Sequence, residues 1–486
     1  MRNGGIRAIT LLLLIVTLLV PACGGTQATQ APGASQPTAG AGNATEVPPT
    51  AAVAPTVAAQ AQPTSAAPAA PPTPIVIEGG TSGKYAGKTL SVLQPTGGGG
   101  RGVQPGIEAW AKENGVKLQI TQLAYAEVRQ KALLDFTSHT STYDVVQVDG
   151  AIWASEMAPF LEPLDPWLQK DPLPEQDDFI PAVLKAMRVP YPDGTTYAVP
   201  VRYGTLIYHY RKDLFDAAGI QNPPTYWDEY LADAQKTTKD GVYGTVHAGK
   251  QGNFLVYNWF AFLYGFGGNF LTPDQSKSML NEPASIEATQ FWADLYNKYH
   301  VVPPGMTSYE HDDVITVMQQ GLVASAITYS PYALEFEKPD KSKVVGKVAW
   351  SSIPIKRDVP DLKSGGVGSG WGFAINKDSA NKDIAWDLIK YVSSPKVQLD
   401  LAINAANAPV RRSTFLNADY QKVFPAAEAT LKALEGDRIR PGLRNWTAVE
   451  DMMAAELSAA LVGQKSGTEA MEEGDAKLND LLKSSQ

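Results

Sequence analysis

Strand-like and helix-like segments alternate near the start of the globular part of the chain, and this alternation limits the folds open to it. The pattern predicts strands at residues 88–95, 116–122 and 143–149, and helices at residues 104–115, 126–139 and 151–157. A β-α-β-α-β-α order is typical of an α/β domain with a mostly parallel sheet. The whole chain has 486 residues, which is enough for two or three domains' worth of core.

The N-terminal region predicts export and tethering. Arg2 and Arg7 precede an apolar run that is too short for an ordinary membrane-spanning helix. The only cysteine, Cys23, follows small residues in VPAC, which resembles a bacterial lipobox. The resemblance implies a signal peptide over residues 1–22 and a lipid on Cys23, although a plain signal peptide that happens to contain cysteine is the alternative. Residues 23–80 are rich in Ala, Pro and Thr and predict a disordered linker from a membrane anchor to an extracytoplasmic body.

Several functional classes find little support in the sequence. The formal charge of −9 argues against nucleic acid as a partner. The five histidines show no metal-ligand spacing, and an acylated Cys23 leaves no thiol, so we expect no metal and no cofactor. Gly97, Gly99 and Gly102 fit the G-x-G-x-x-G pattern, but the acidic residue expected on the next strand is absent. A pair of glycosidase carboxylates stays open, because such residues are distant in sequence.

Aromatic and polar side chains recur together at the ends of predicted strands and in loops. These pairs are Asp149 with Trp153, Arg202 with Tyr203, and Asn258 with Trp259. Ligands of open α/β sheets bind beyond the strand ends. A flat ring matches the apolar face of a sugar, and Asp, Arg and Asn match its hydroxyl groups. Trp371 stands among glycines in GGVGSGWGFAIN, so it either presents a ring face to sugar or fills the core between two lobes.

Five segments together resemble family 1 of the extracellular sugar-binding proteins of ABC importers. They are YDVVQVDGAIWASEMAPFLEPLDPWL, TYAVPVRYGTLIYHYRKDLFDAAGI, PPTYWDEYLADAQ, VYNWFAFLYGFGGNFL and GWGFAINKDSANKDIAWDLIKYVSSPKVQ. The resemblance runs from about residue 85 to the end. It implies an α/β, two-lobed, type II periplasmic-binding-protein-like fold, in which each lobe is a β-sheet flanked by helices and the lobes are joined by hinge crossovers. Lobe I would hold residues 85–198 and 370–415, and lobe II residues 199–368 and 416–486.

The resemblance also implies a mechanism and a site. The lobes would close on a ligand by a hinge, and the permease would recognise the closed form. The family's ligand-contacting positions match Gln94, Thr96, Asp149, Trp153, Arg202, Tyr203, Asn258, Trp259, Tyr329, Tyr332, Gly370, Trp371 and Arg411. Many relatives carry tryptophan where this chain has Tyr332, which leaves the size of the ligand open.

We therefore expect a lipid-anchored sugar- or polyol-binding subunit of an ABC importer that captures its ligand and delivers it to the permease. We expect a monomer without catalytic activity, whose partners are the carbohydrate, the permease subunits and the membrane. Two alternatives are a surface-anchored carbohydrate-active enzyme and a sugar receptor for a sensory system.

Overall fold

The computed structural model describes residues 73–96, 100, 102–150 and 152–484. The predicted signal peptide, Cys23 and most of the predicted linker lie outside the described residues, as do Gly97 and Gly99. The described residues belong to one structural unit. No helix in this part of the chain is long and apolar enough to span a membrane.

The regular elements of the described residues alternate along the chain as the sequence predicts. The strands are β1 Ile75–Ile77, β2 Thr89–Pro95, β3 Lys117–Leu123, β4 Val145–Asp149, β5 Arg188–Val189, β6 Thr195–Thr196, β7 Val199–Arg211, β8 Ser325–Tyr329, β9 Val348–Ser351, β10 Val367–Ile375 and β11 Arg438–Ile439. The helices are α1 Gln104–Asn114, α2 Tyr125–Ser138, α3 Ala154–Met157, α4 Asp165–Lys170, α5 Pro181–Lys185, α6 Lys212–Ala217, α7 Trp227–Thr237, α8 Asn253–Gly265, α9 Pro283–Asn297, α10 His311–Gln319, α11 Ala333–Phe336, α12 Lys382–Ser393, α13 Pro395–Asn404, α14 Arg412–Leu416, α15 Ala418–Val423, α16 Ala427–Glu435, α17 Trp446–Leu461 and α18 Gly467–Ser484. The six elements predicted over residues 88–157 are confirmed within three residues at each end.

The main sheet has the order β1-β3-β2-β4-β10-β7-β8, with β11 beside β10 and β9 beside β7. Strands β3 and β4 both pair in parallel with β2, as the alternation of strands and helices predicts. The expectation of a mostly parallel sheet is wrong for the sheet as a whole. Strand β10 runs antiparallel to both β4 and β7, and β7 runs antiparallel to β8 and β9. The long strands β7 and β10 cause this change, because they cross from one half of the molecule to the other.

Two apolar cores lie on either side of these crossover strands. The first core contains Leu93 and Val146 of the parallel strands together with Phe373 of β10. The second core contains Leu206 of β7 and Ile327 of β8, and α8 lies buried within it. The molecule is therefore two-lobed, with strands and helices packed together in each lobe.

The C-terminal helices divide between the two cores. Tyr420, Phe424 and Leu431, on and beside α15 and α16, pack in the first core. Val449 and Leu457 of α17 pack in the second core. The chain thus passes from the first core to the second core after α16, close to β11.

Candidate ligand-binding cleft

The crossover strands bring three predicted site residues into one row. In the register of the sheet, Trp371 of β10 lies opposite Asp149 of β4 on one side and opposite Arg202 of β7 on the other. Directly opposed residues project from the same face of a sheet. A buried carboxylate, a half-buried indole and a guanidinium group therefore lie along one face of the sheet at the junction of the lobes.

Two further aromatic rings pack around this row. The Trp153 ring meets the Trp371 ring edge to face at 5.1 Å, and the Tyr125 ring lies 4.5 Å from Trp153 and 5.6 Å from Trp371. Trp153 is buried, whereas Tyr125 is 43% exposed. The Tyr125 hydroxyl donates a hydrogen bond to Asp149 Oδ2 at 3.1 Å. Loss of solvent around the hydroxyl, and then the charge of Asp149, raise the pKa of Tyr125, so it stays a neutral donor.

Tyr125 was not predicted from the sequence. It begins α2, two residues after β3 ends at Leu123. The rule that ligands bind at and beyond strand ends, which singled out Asp149 at the end of β4, applies equally to this position.

The second lobe supplies the opposite wall of the cleft. The Arg440 guanidinium lies 4.8 Å above the Tyr257 ring and pairs with Glu450, with 3.0 Å between Nη1 and Oε1. The charge of Arg440 lowers the pKa of Tyr125, which belongs to the first lobe, and the charge of Glu450 raises it. Asp149 of the first lobe in turn raises the pKa of Tyr257, for which burial is the main cause. Arg440 and Tyr257 of the second lobe therefore lie within electrostatic range of Tyr125 and Asp149 of the first lobe.

Tyrosine hydroxyls tie the second lobe to the crossover strand β10. Tyr257 donates to the carbonyl oxygen of Val367 at 2.8 Å, and Tyr329 donates to that of Ser369 at 3.0 Å. Both acceptors precede Trp371 on the same strand. The position of the indole is thus coupled to the second lobe through the backbone.

An aromatic and imidazole cluster continues the wall of the second lobe. The His311 ring stacks on Phe254 at 4.0 Å and meets Tyr332 edge to face at 5.7 Å. Burial, and then the nearby charge of Arg440, lower the pKa of His311 to about 4. Near pH 7 the ring is therefore neutral, and its Nε2 accepts a hydrogen bond from Asn258 Nδ2 at 3.3 Å.

Some predicted site residues are buried among internal partners instead of lining the cleft. Asn258 also accepts a hydrogen bond from the Ala248 amide, and Trp259 donates to Thr289 inside the second core. The buried Arg411 donates to the carbonyl oxygens of Ser393, Pro174 and Glu175, and its guanidinium lies over the Phe179 ring. These contacts give the three side chains structural roles, and contact with ligand stays a prediction for them.

The remaining predicted residues lie on the crossover strands β7 and β10 and at the end of β2. Tyr203 is buried and donates to Asp437, and a Cβ on Gly370 would overlap the Tyr203 ring, so this position requires glycine. Gln94 is fully buried at the end of β2, and neither atom of its side-chain amide has a hydrogen-bond partner. Thr96 follows it and is exposed.

The described part of the chain holds no group of three or more His, Cys, Asp or Glu side chains that could bind a metal ion. A cavity of about 480 Å³ opens beside Arg202 and Tyr332. The structure therefore groups Asp149, Trp153, Trp371 and Arg202 at the junction of the lobes. Arg202 also lines the cavity, together with Tyr332.

Comparison with known proteins agrees with this arrangement. The family model for bacterial extracellular solute-binding proteins matches residues 94–399. The mannitol-binding protein of Pseudomonas aeruginosa is 26% identical over 373 residues, which cover 71% of this chain and 81% of that protein. An ABC transporter solute-binding protein from Agrobacterium radiobacter K84 in complex with ribitol has a TM-score of 0.69 and 26% identity, covering 82% of this chain and 99% of that one. Maltose-bound MalE3 of T. maritima has a TM-score of 0.68 and 27% identity, with 81% and 99% covered.

These solved structures confirm the predicted type II periplasmic-binding-protein-like fold. The family match extends from the end of β2, through both crossover strands, into α13. It covers Asp149, Arg202 and Trp371, which form the row at the junction of the lobes. The chain belongs to the bacterial extracellular solute-binding protein family.

Proposed function

We propose that this protein is the sugar- or polyol-binding subunit of an ABC importer. The mannitol-binding relative and the solved neighbours with bound ribitol and maltose support this class of ligand. Binding without catalysis is part of the proposal, because members of the family are substrate-binding proteins. Its partners are the carbohydrate and the permease subunits, and it acts as a monomer.

The row of Asp149, Trp371 and Arg202 is the observation that carries the proposal. The half-buried indole of Trp371 offers apolar surface to the C–H face of a sugar. The carboxylate on one side accepts hydrogen bonds from hydroxyl groups, and the guanidinium on the other side donates them. Tyr125 adds a more exposed ring, and its hydroxyl oxygen can accept a hydrogen bond while its proton is donated to Asp149. Polyhydroxylated ligands need this combination of ring face and flanking polar groups.

Closure would occur about β7 and β10, which cross between the lobes. We assign residues 85–198 and 370–434 to lobe I, and residues 199–368 and 440–486 to lobe II. The sequence resemblance placed residues 416–434 in lobe II; we assign them to lobe I because their apolar side chains pack in the first core. Closure would bring Arg440 and Tyr257 of the second lobe onto a ligand held by Trp371.

An extracytoplasmic location follows from membership of this extracellular family. We further propose that residues 1–22 are a signal peptide and that Cys23 carries a lipid that anchors the protein to the cell membrane. The VPAC sequence before a low-complexity linker supports this part of the proposal.

A thermal-shift screen of the full chain in detergent tests the function. Mannitol, ribitol, maltose and a panel of monosaccharides are compared with amino acids and polyamines. A ligand at 100 times its dissociation constant stabilises the fold by about 2.7 kcal/mol. We expect a carbohydrate to give this shift and Trp371→Ala to abolish it. Trp167→Ala, at a half-buried tryptophan that donates to Glu162 in the first lobe, is the control and should keep the shift. Stabilisation by amino acids or polyamines alone would refute the proposal.

A further inference from the structure

The cavity beside Arg202 extends the cleft toward the C-terminal helices of the first lobe. On one side it is bounded by the second-lobe segment from Ser330 to Lys338. On the other side it is bounded by residues of α13 to α16 and the loop before α14. Its volume of about 480 Å³ lies in the range of small-molecule sites.

One wall of this cavity is apolar and only partly covered by the protein. Ile403, Phe415, Val423 and Phe424 form it, and Leu334 faces it from the second lobe. Val423 is 43% exposed, and Ile403 and Leu334 are half-buried. Displacing water from such a wall favours an apolar group. A free sugar or polyol would instead lose hydration of its hydroxyl groups there without gaining hydrogen bonds.

Two buried side chains of the cavity lining have unpartnered polar atoms. Asn407 is 1% exposed, and its Nδ2 donates to the carbonyl oxygen of Val201 at 2.8 Å, but its Oδ1 has no partner. The buried Oγ1 of Thr430, which also lines the cavity, has none either. Because buried polar atoms are normally hydrogen-bonded, both atoms point to a ligand that supplies hydroxyl groups.

Gly102 keeps the space beside Asn407 open. A Cβ built on Gly102 would lie 2.9 Å from Asn407 Oδ1 and 3.3 Å from Arg202 Nη1. An acceptor and a donor therefore stand near each other where the cavity meets the row containing Trp371. The other charged groups of the lining, Lys338 and Glu335, pair with each other at 2.6 Å, so that side carries no net charge.

We propose that the ligand is a glycoside whose apolar aglycone occupies this cavity while its sugar lies in the cleft beside Trp371. Arg202 and Asn407 then contact the polar atoms near the glycosidic bond. This inference rests on the proposed function, because it assigns the cleft to the sugar. It narrows the ligand from sugars and polyols in general to glycosides with an aryl group.

Calorimetric titration of the full chain in detergent tests the inference. The probes are the methyl and phenyl glycosides of glucose, galactose, mannose and xylose, together with mannitol and phenol. For the sugar that binds, we expect the phenyl glycoside to bind about tenfold more tightly than the methyl glycoside, because its ring buries additional apolar surface.

Variants locate the aryl group. Ala405 lines the cavity and is half-buried, so Ala405→Phe fills the cavity and should remove the preference for the phenyl glycoside while the methyl glycoside still binds. The matched control is Asn404→Phe, which adds the same ring at the adjacent exposed position outside the lining and should keep the preference. Val423→Ser makes the exposed part of the wall polar and should reduce the preference, even if Ala405→Phe does not fold.

The outcomes separate the inference from the proposed function. Equal affinity for methyl and phenyl glycosides, or a preference unchanged in Val423→Ser and in a folded Ala405→Phe, overturns the inference and leaves the proposed function intact. Phenol binding as tightly as the phenyl glycoside also overturns it, because the sugar would then contribute nothing. Absence of binding by every carbohydrate, in this titration and in the thermal-shift screen alike, overturns the proposed function itself.

Discussion

Asp437 places a carboxyl group against the crossover strands, and burial raises its pKa to about 8. Its Oδ2 accepts a hydrogen bond from the Tyr203 hydroxyl at 2.9 Å, and its Oδ1 accepts one from the Thr205 hydroxyl at 2.6 Å. Both bonds lower the pKa, but they offset only part of the effect of desolvation. The group is therefore mostly protonated in the folded protein at pH 7, whereas an unfolded aspartate has lost its proton above about pH 4.

This difference makes stability depend on pH with a definite sign. Between about pH 4 and about pH 8 the folded chain holds one more proton at this site than the unfolded chain, so stability falls as the pH rises. Each pH unit costs about 1.4 kcal/mol, so raising the pH from 5 to 7 costs about 2.7 kcal/mol through Asp437 alone. Above about pH 8 the loss levels off, because both states are then ionised.

Asp437→Asn keeps the shape of the side chain and removes its titration. We expect wild type to lose about 2.7 kcal/mol relative to this variant between pH 5 and pH 7. Urea unfolding of both proteins, followed by tryptophan fluorescence at pH 5, 6 and 7 and constant ionic strength, measures the difference. The titration of other groups is common to both proteins and cancels.

Asp419→Asn is the matched control, because Asp419 is an exposed aspartate whose pKa its hydrogen bond to Lys422 lowers. This variant should follow wild type over the same pH range. If Asp437→Asn also follows wild type in parallel, Asp437 is ionised in the folded protein and the reasoning about its burial is refuted.

Three further predictions concern packing and the cleft. Gly368→Ala would place a Cβ in the space of a buried carboxylate oxygen and a tyrosine hydroxyl, so the free energy of unfolding measured in urea should fall by about 2 kcal/mol or more. Gly474→Ala makes only ordinary contacts inside a helix and should raise the free energy of unfolding by about 0.5–1 kcal/mol. Equal free energies for the two variants would contradict both expectations. Tyr125→Phe removes the hydrogen bond to Asp149 and should weaken binding of the carbohydrate found in the screen by about 0.5–1.5 kcal/mol in calorimetry, whereas unchanged affinity would place this hydroxyl outside the site. The pKa of His311 is lowered to about 4, whereas an unfolded histidine binds its proton below about pH 6.5. Between about pH 6.5 and about pH 4, the free energy of unfolding of wild type in urea should therefore fall by about 1.4 kcal/mol per pH unit more than that of His311→Gln. Equal dependence on pH in the two proteins would show that the His311 ring is charged in the folded protein.

Part of the candidate site could be predicted from local sequence because a local rule places it. Asp149 ends a buried strand and Trp153 lies four residues further on, where ligands of α/β sheets bind. Trp371 was singled out by its glycine neighbours, and one of them, Gly370, gives the Tyr203 ring the space that it occupies. In each of these cases the relevant signal lies within a few residues of the side chain.

Two predicted site residues, Trp259 and Arg411, have internal contacts that residue type alone did not indicate. Trp259 lies on α8, a helix that is apolar on nearly all sides in NFLVYNWFAFLYG, and such a helix is typical of a core. That pattern was the available sign that its tryptophan is internal. The sequence around Arg411 gave no such indication of burial. Its side chain donates to the backbone carbonyl oxygens of Pro174 and Glu175, which are more than 230 residues away in the chain.

The sequence by itself determined the α/β class, the order of strands and helices in the first lobe, and the family. These properties depend on apolar periodicity and on short segments, which local structure expresses directly. Only the tertiary structure decided which side chains meet across the cleft. Tyr125 lies within electrostatic range of Arg440 and Glu450, and Asn407 lines a cavity with Tyr332, because β7 and β10 bring together lobes whose residues are far apart in the chain. The direction in which those strands cross is set by the packing of two cores, which no local pattern specifies.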